Sequence, residues 1–331
     1  MNEMNQLVKA LFEIPTHRVD DEKNQRAALD QRIFELITPR SLRLGSLDQA
    51  TTSMLQDKIK LSIEENKPIT LIIGFGGFKN FKISGSPHIN WAEVFHISFL
   101  IQTLWEVAHI YKPGLHIEFT GDDVMLPMLN NYKDGWTKVY NDEFSVLLSE
   151  IQSKMPDNIV LVNRPASSFY NQIDLEDEIT RHVEGMDLNA NQEVIESKID
   201  KARNNFCFDG KTDYTNADDN LKRQLLERST LIHGAWIDVD YKHRREYLEG
   251  GLHIPVLHRK GIPGCYNIRS LKSSDVQFWE AYGVIAERTD GTYYQTLLSV
   301  NQYSNADVQL VAVENIFTHL GQFTEVPLIS A

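Results

Sequence analysis

A lysine follows a glycine-rich turn directly after the first strong strand signal of the chain. Residues 69–74 form a short apolar run rich in β-branched side chains, and Gly76 and Gly77 then precede Lys79. Such a run is typical of a buried strand, and in open α/β sheets ligands bind just past the carboxyl ends of strands. Lys79 is therefore either an ordinary surface lysine or a residue that binds an anion or does amine chemistry. Neither the Walker A spacing nor the dinucleotide-binding spacing of glycines is present.

Carboxylates occupy two further positions with chemical potential. Glu93 stands in the first turn of a predicted helix whose next stripe positions are apolar, and Asp122 and Asp123 directly follow the next predicted strand. A carboxylate at a helix start contributes about 0.3–1 kcal/mol, so Glu93 has a capping interpretation, while partial burial would suit it to acid–base catalysis. The two aspartates could bind a cation, orient an amine, or simply end the strand in a turn.

Residues 241–245 (Tyr-Lys-His-Arg-Arg) are the densest basic cluster of the sequence. Arg244 and Arg245 could hold a phosphate or carboxylate, but a solvated helical face that pairs with nearby glutamates is the alternative. Four histidines fall at spacings that match no metal-binding signature: His233, His243, His253 and His258. Cys207 and Cys265 form no CxxC pair, so neither a disulfide framework nor a structural zinc site is expected.

Composition limits the classes of function. The chain has 331 residues, 42% apolar and 24% charged residues, and a formal net charge of −13. That charge disfavours binding to nucleic acid or to anionic membranes, and the sequence shows neither a signal-peptide pattern nor an apolar run of about 20 residues. We therefore expect a cytoplasmic protein that acts on small molecules, without a nucleic-acid or membrane partner. Oligomeric state is not predicted.

The elements that would position these residues follow from hydrophobic periodicity. We predict helices at 20–38, 47–65, 90–109 and 136–154, with further helical segments at 174–178, 193–203 and 218–228. We predict strands at 69–74, 115–120 and 158–162, a hairpin of 284–288 with 293–298, and a last strand at 308–313.

The strand–helix–strand order of residues 69–163 predicts an α/β fold: a Rossmann-like parallel sheet flanked by helices, with a β-containing C-terminal part. We divide the chain into an N-terminal helical segment packed on the core (1–65), a Rossmann-like core (66–170), and a helical connection with an α/β C-terminal part that form one compact unit (171–331).

Residues 69–150 resemble the pyoverdine/dityrosine biosynthesis family, which includes the isonitrile synthases. Family members carry, in order, a Phe-Pro-x-Lys turn, a Pro-Asp-x-x-Glu helix start, an Ile-Tyr-x-Pro-Gly link and a strand that ends in Ser-Asp-Gly. The corresponding segments here are 77–79 (Gly-Phe-Lys), 87–93 (Pro-His-Ile-Asn-Trp-Ala-Glu), 110–114 (Ile-Tyr-Lys-Pro-Gly) and 121–123 (Gly-Asp-Asp). The chain departs from the family at Gly77, which replaces proline, at Asn90, which replaces aspartate, and in the order Gly-Asp-Asp.

The resemblance implies that an α-amino acid reacts with ribulose 5-phosphate and that its amine becomes an isonitrile. It implies Lys79 as phosphate holder or proton donor, Glu93 as general base and Asp122 as the carboxylate that orients the amine. It requires no cofactor, neither a metal nor a nicotinamide. Substrate or phosphate binding falls to Gly76, Gly77, Asn90, Asp123, Arg244 and Arg245. Two alternatives remain open: a Rossmann-like transferase that uses S-adenosylmethionine, and a non-catalytic protein that binds an amino acid or a sugar phosphate.

Overall fold

The chain builds a parallel sheet covered by helices and a second, mixed sheet in its C-terminal part, so the predicted α/β fold is confirmed. The computed structural model describes residues 3–14, 28–76, 79, 87–169, 172–186, 192–258 and 264–330, with the side chains of 172–173 and 240–250 excepted. The strands are β1 (Ile69–Phe75), β2 (Leu115–Gly121), β3 (Ile159–Asn163), β4 (Ile254–Leu257), β5 (Tyr266–Asn267), β6 (Tyr282–Glu287), β7 (Tyr293–Leu298), β8 (Val308–Ala312) and β9 (Glu325–Ile329).

The first sheet has the order β3-β2-β1-β4-β5, and all its pairings are parallel. The register pairs Phe75, the last residue of β1, with Gly121, the last residue of β2. Gly76 and Asp122 therefore follow on neighbouring strands at the same carboxyl edge. The second sheet has the order β7-β6-β9-β8, with β6 parallel to β9 and the other pairs antiparallel.

The predicted helices are largely found. The helices are α1 (Glu3–Lys9), α2 (Leu29–Ile37), α3 (Gln49–Glu64), α4 (Trp91–Ile110), α5 (Met125–Asn130), α6 (Trp136–Gln152), α7 (Gln172–Glu184), α8 (Gln192–Asn205), α9 (Asp219–Gly250) and α10 (Val300–Asn305). The helix predicted at 20–38 begins at Leu29 among the described residues, and its predicted first part, 20–27, lies outside them. The helix predicted at 218–228 continues to Gly250.

Three strands were not predicted, and the strand at 308–313 is not the last one, because β9 follows it. The strands β4 and β9 each contain a proline, Pro255 and Pro327, which lacks the N–H that a ladder hydrogen bond needs. The strand β5 has only two residues, too few for any periodic signal.

Helix α4 is the central element of the fold. Its residues Val94, Phe95, Ile97, Leu100 and Leu104 are completely buried, because it packs against both the parallel sheet and the second sheet. Its first two turns are buried on every side, and a narrow stripe in its second half, with Gln102 and His109, reaches solvent.

Strand β6 approaches the start of α4 closely at Gly283. A Cβ at that position would lie 2.2 Å from the backbone carbon of Trp91, so any larger residue would push the second sheet away from the helix. Among the described residues, no helix combines the length and the apolar composition that crossing a bilayer requires.

Candidate functional site

Lys79 and Glu93 meet in the protein interior. The Nζ atom of Lys79 lies 2.7 Å from Oε1 of Glu93, and both side chains have no solvent exposure. The interpretation of Lys79 as a surface lysine is therefore wrong. Bringing two opposite charges out of water is costly unless they pair and hydrogen-bond well, so this contact is a strong constraint on the fold.

Glu93 accepts hydrogen bonds from three directions. The hydroxyl of Tyr140 on α6 donates to Oε1 across 3.1 Å, beside the ammonium of Lys79. The backbone N–H of Asn90 donates to Oε2 across 2.8 Å. The capping interpretation of Glu93 is confirmed, and the residue is also a buried carboxylate paired with a lysine; its role in acid–base catalysis stays a prediction.

Asn90 joins the start of α4 to the second sheet. Its Oδ1 accepts from the backbone N–H of Ala92 at 2.7 Å and of Gly283 at 3.3 Å, and its Nδ2 donates to the carbonyl of Ala281 at 3.2 Å. An aspartate could accept the first two bonds, but it has no N–H for Ala281. Asn90 therefore makes a contact that an aspartate at this position could not make.

Phe278 completes the surroundings of the lysine. Its carbonyl oxygen accepts from Nζ of Lys79 at 3.0 Å. Its ring stacks on Phe75, the last residue of β1, with centroids 5.3 Å apart, and Phe75 also contacts the ring of Tyr140. The lysine, the carboxylate and the tyrosine therefore lie beside the end of β1, on the α4 side of the parallel sheet.

Two histidines contact the ring of Phe278. His96, one turn after Glu93 on α4, stacks on the Phe278 ring at 4.3 Å between centroids, and His258, directly after β4, lies 4.9 Å from His96. The side chain of His96 is completely buried, and its Nε2 has no hydrogen-bond partner within the described part of the chain.

Burial dominates the electrostatics of this site. It lowers the pKa of Lys79, and the charge of Glu93 opposes that effect. It lowers the pKa of His96 to about 3 and that of His258 well below its ordinary value. It raises the pKa of Tyr140 well above its ordinary value, and the neighbouring Glu93 adds to the rise. Both histidines are therefore neutral near pH 7.

The predicted aspartates lie at the edge of the sheet. Asp122 directly follows β2 and is half-buried. Asp123 accepts from the backbone N–H of Ser167 at 2.9 Å and from its hydroxyl at 2.5 Å, which ties the loop after β3 to the end of β2. Gly76 is half-buried beside them, at the end of β1.

The remaining predicted residues fall outside what the structure describes. Gly77 is not among the described residues. The backbone of Arg244 and Arg245 lies within α9, so the cluster at 241–245 is helical, but their side chains are outside the described set. The anion clamp predicted for these arginines remains a prediction.

Sequence reasoning missed Tyr140, Phe278 and the role of His96. A signal existed for two of them: Tyr140 begins a buried stripe at helical spacing with Phe144, and His96 is a polar residue three positions after Glu93 in the mostly apolar first half of α4. Phe278 gave no such signal, because it contacts Lys79 through its backbone carbonyl, which every residue has. The two residues are 199 positions apart, so only the tertiary fold brings them together.

The fold is shared with a known protein, although sequence comparisons give nothing. No family model matches the chain, and no curated protein matches its sequence. Among solved structures, the chain is similar to the PvcA protein from Pseudomonas aeruginosa, with a TM-score of 0.62 and 16% sequence identity. The match covers 91% of this chain and 100% of that one. At this identity the likeness shows a common fold.

Proposed function

We propose that the chain is an isonitrile synthase-like enzyme that converts the amine of an L-amino acid with ribulose 5-phosphate, in secondary-metabolite biosynthesis in the cytoplasm. The observation that carries the proposal is the buried contact of Lys79 and Glu93 beside the end of β1. The ordered family motifs contain both residues. The fold shared with PvcA supports the same family.

The proposed chemistry asks for proton transfer. An amine and a ketone lose water as they form an imine, and protons must then move while a C–C bond breaks. A lysine with a lowered pKa can give a proton more readily than an ordinary lysine, and Glu93, beside it, can take one. The low polarity of the buried site strengthens the hydrogen bonds that Lys79 and Glu93 make.

The geometry favours the proton-donor role for Lys79 over the phosphate-holder role. Its Nζ donates to Glu93 and to the carbonyl of Phe278, and the residue is 1% exposed. A phosphate, with its strong hydration, would have to replace those partners in a dry site. We therefore assign phosphate binding to the loop glycines Gly76 and Gly77 and to Arg244 and Arg245, with Asn90 supporting the start of α4.

Asp122 is the proposed orienting group for the substrate amine. It lies at the carboxyl edge of the sheet, next to Gly76 on the neighbouring strand, where ligands of open α/β sheets bind. Asp123, bound to Ser167, would hold the rim of the same site in place.

The test is a product assay over all common amino acids. The purified protein is incubated with each amino acid and ribulose 5-phosphate labelled with carbon-13 at its carbonyl carbon, and products are analysed by mass spectrometry. The proposal expects, for at least one amino acid, a product that gains one carbon, loses two hydrogens and carries the label. Absence of such a product with every amino acid would refute the reaction, although not the fold.

A transferase that uses S-adenosylmethionine is the second candidate, because Asp122 follows the strand next to the glycine-rich loop, where such enzymes hold a ribose. Thermal-shift measurements separate the candidates: stabilisation by S-adenosylmethionine and not by ribulose 5-phosphate favours the transferase. Stabilisation by a substrate without any turnover favours a non-catalytic binding protein.

A further inference from the structure

Phe278 is held at three points around its Cα atom. Its backbone N–H donates to Oγ of Ser270 at 3.1 Å, and its ring stacks on His96 with an interplanar angle of 13°. The third point is its carbonyl, which accepts from Nζ of Lys79. The first two contacts fix the direction in which the carbonyl points.

His96 acts on Phe278 by a second route, through Ser270. Nδ1 of His96 lies 2.7 Å from the carbonyl oxygen of Ser270. Because a carbonyl can only accept, Nδ1 carries the proton, and this bond sets the tautomer and the orientation of the ring. Ser270 is 3% exposed, so the bond is not in competition with water.

We propose that His96 and Ser270 are positioning residues that hold the carbonyl of Phe278 against Lys79 and so set the proton affinity of that lysine. The inference rests on the proposed role of Lys79, but it concerns a protonation equilibrium that exists without substrate. Removing a held acceptor from an ammonium group disfavours the charged form, so loss of either residue lowers the pH at which Lys79 titrates.

Among the described residues, four other titratable side chains lie near Lys79: Glu93, Tyr140, His258 and His96. Glu93 from α4 contacts Nζ directly, and Tyr140 from α6 reaches the same carboxylate oxygen. His258, after β4, contacts the Phe278 ring edge to face, with centroids 5.6 Å apart. Since burial holds the pKa of His96 at about 3, its ring is neutral over the whole range in which a lysine titrates.

The test follows the titration of Lys79 by NMR in protein carrying carbon-13 at the ε-position of lysine, with the signal assigned by its loss in Lys79→Arg. Ser270→Ala removes the acceptor for Phe278, and His96→Phe keeps the stacked ring but removes the donor to Ser270. Both variants are expected to lower the titration midpoint of Lys79 by about half a pH unit or more. Ser270→Thr keeps the hydroxyl and is expected to keep the wild-type midpoint.

The control is His88→Phe, which alters an exposed histidine paired with Glu143 and is expected to leave the midpoint unchanged. Folding of each variant is checked by near-ultraviolet circular dichroism, and Ser270→Ala alone decides the matter if His96→Phe does not fold. An unchanged midpoint in folded Ser270→Ala would overturn the inference. Absence of an isonitrile product from the wild-type protein would instead refute the proposed function and leave this titration valid.

Discussion

Two lysine–carboxylate pairs lie on opposite sides of helix α6 and have opposite physical characters. Tyr140 of α6 points inward to the pair of Lys79 and Glu93, whose side chains are both 0% exposed. Lys138 and Asp142 on the same helix form a pair whose side chains are 77% and 62% exposed. The inner pair joins residues 14 apart and has a tyrosine and a backbone N–H as further partners, whereas the outer pair is an ordinary contact between successive turns.

Burial decides how much a charged pair affects the stability of this fold. An exposed pair gains little, because water and salt screen it and its long side chains lose freedom. A buried pair contributes little net stability compared with apolar residues in the same place. Removing one partner is costly, because the charge that remains is buried without solvation by water. An interior with a purely structural role could therefore use apolar residues in place of the inner pair.

The largest expected effect is the loss of one partner of the inner pair. Lys79→Met leaves the Glu93 carboxylate buried without its cation and should lower the free energy of unfolding by about 3–5 kcal/mol. The double variant Lys79→Met/Glu93→Gln removes both charges and should recover much of that loss. Urea unfolding of the single and double variants measures the coupling, and additive effects would contradict the account.

The next effect tests the junction between α4 and the second sheet. Asn90→Asp restores the residue expected from the family, but it replaces the N–H that serves Ala281 with an oxygen. We expect a loss of about 1–2 kcal/mol, since an unpaired buried carbonyl outweighs the gain of a charge at the helix start. A variant as stable as the wild type in urea would show that this hydrogen bond contributes nothing.

The buried histidines predict sensitivity to acid. The folded-state pKa of His96 is about 3, below its ordinary value of 6.5, so between these values the unfolded chain binds more protons than the folded one. Stability therefore rises with pH through this window and falls as the pH is lowered from 6.5, by up to about 1.4 kcal/mol per pH unit for this group.

His96→Phe should make that pH dependence shallower, whereas His88→Phe, at an exposed site, serves as the control. Unfolding in urea at several pH values between 4 and 7 measures both slopes. Equal slopes in wild type and His96→Phe would show that His96 does not titrate in this way.

The smallest effect belongs to the outer pair. Lys138→Met should change the free energy of unfolding by no more than about 0.5 kcal/mol, and added salt should reduce even that. A loss as large as that of Lys79→Met would remove the contrast between the two pairs.

The sequence predicts the framework of this molecule better than its site. The run at 69–74 is mostly apolar, the run at 115–120 alternates between apolar and polar residues, and the helix after Asn90 has a clear start, so local signals suffice for these elements. The strands with Pro255 and Pro327 escape prediction because proline opposes a strand locally, and only pairing with neighbours stabilises them there.

The site depends on contacts between distant parts of the chain. The sequence singles out Lys79 by the strand and glycine-rich turn before it and Glu93 by its place at a helix start. Their pairing, and the burial that excludes a surface lysine, arise only in the folded protein. Tyr140 lies 47 residues from Glu93 in the sequence, and Phe278 lies 199 residues from Lys79. No local sequence pattern encodes contacts over such separations. The sequence thus singles out Lys79 and Glu93 as candidates, whereas the contacts between them and with Phe278 depend on the fold.

The proposed function requires the inner pair of Lys79 and Glu93 to carry out proton transfer in an isonitrile-forming reaction. The most direct measurement compares formation of the carbon-13-labelled isonitrile product by the wild type, by Lys79→Met/Glu93→Gln and by Lys138→Met, each shown to be folded. We expect labelled product from the wild type and from Lys138→Met, and none from the double variant. Labelled product from the folded double variant at the wild-type rate would contradict it.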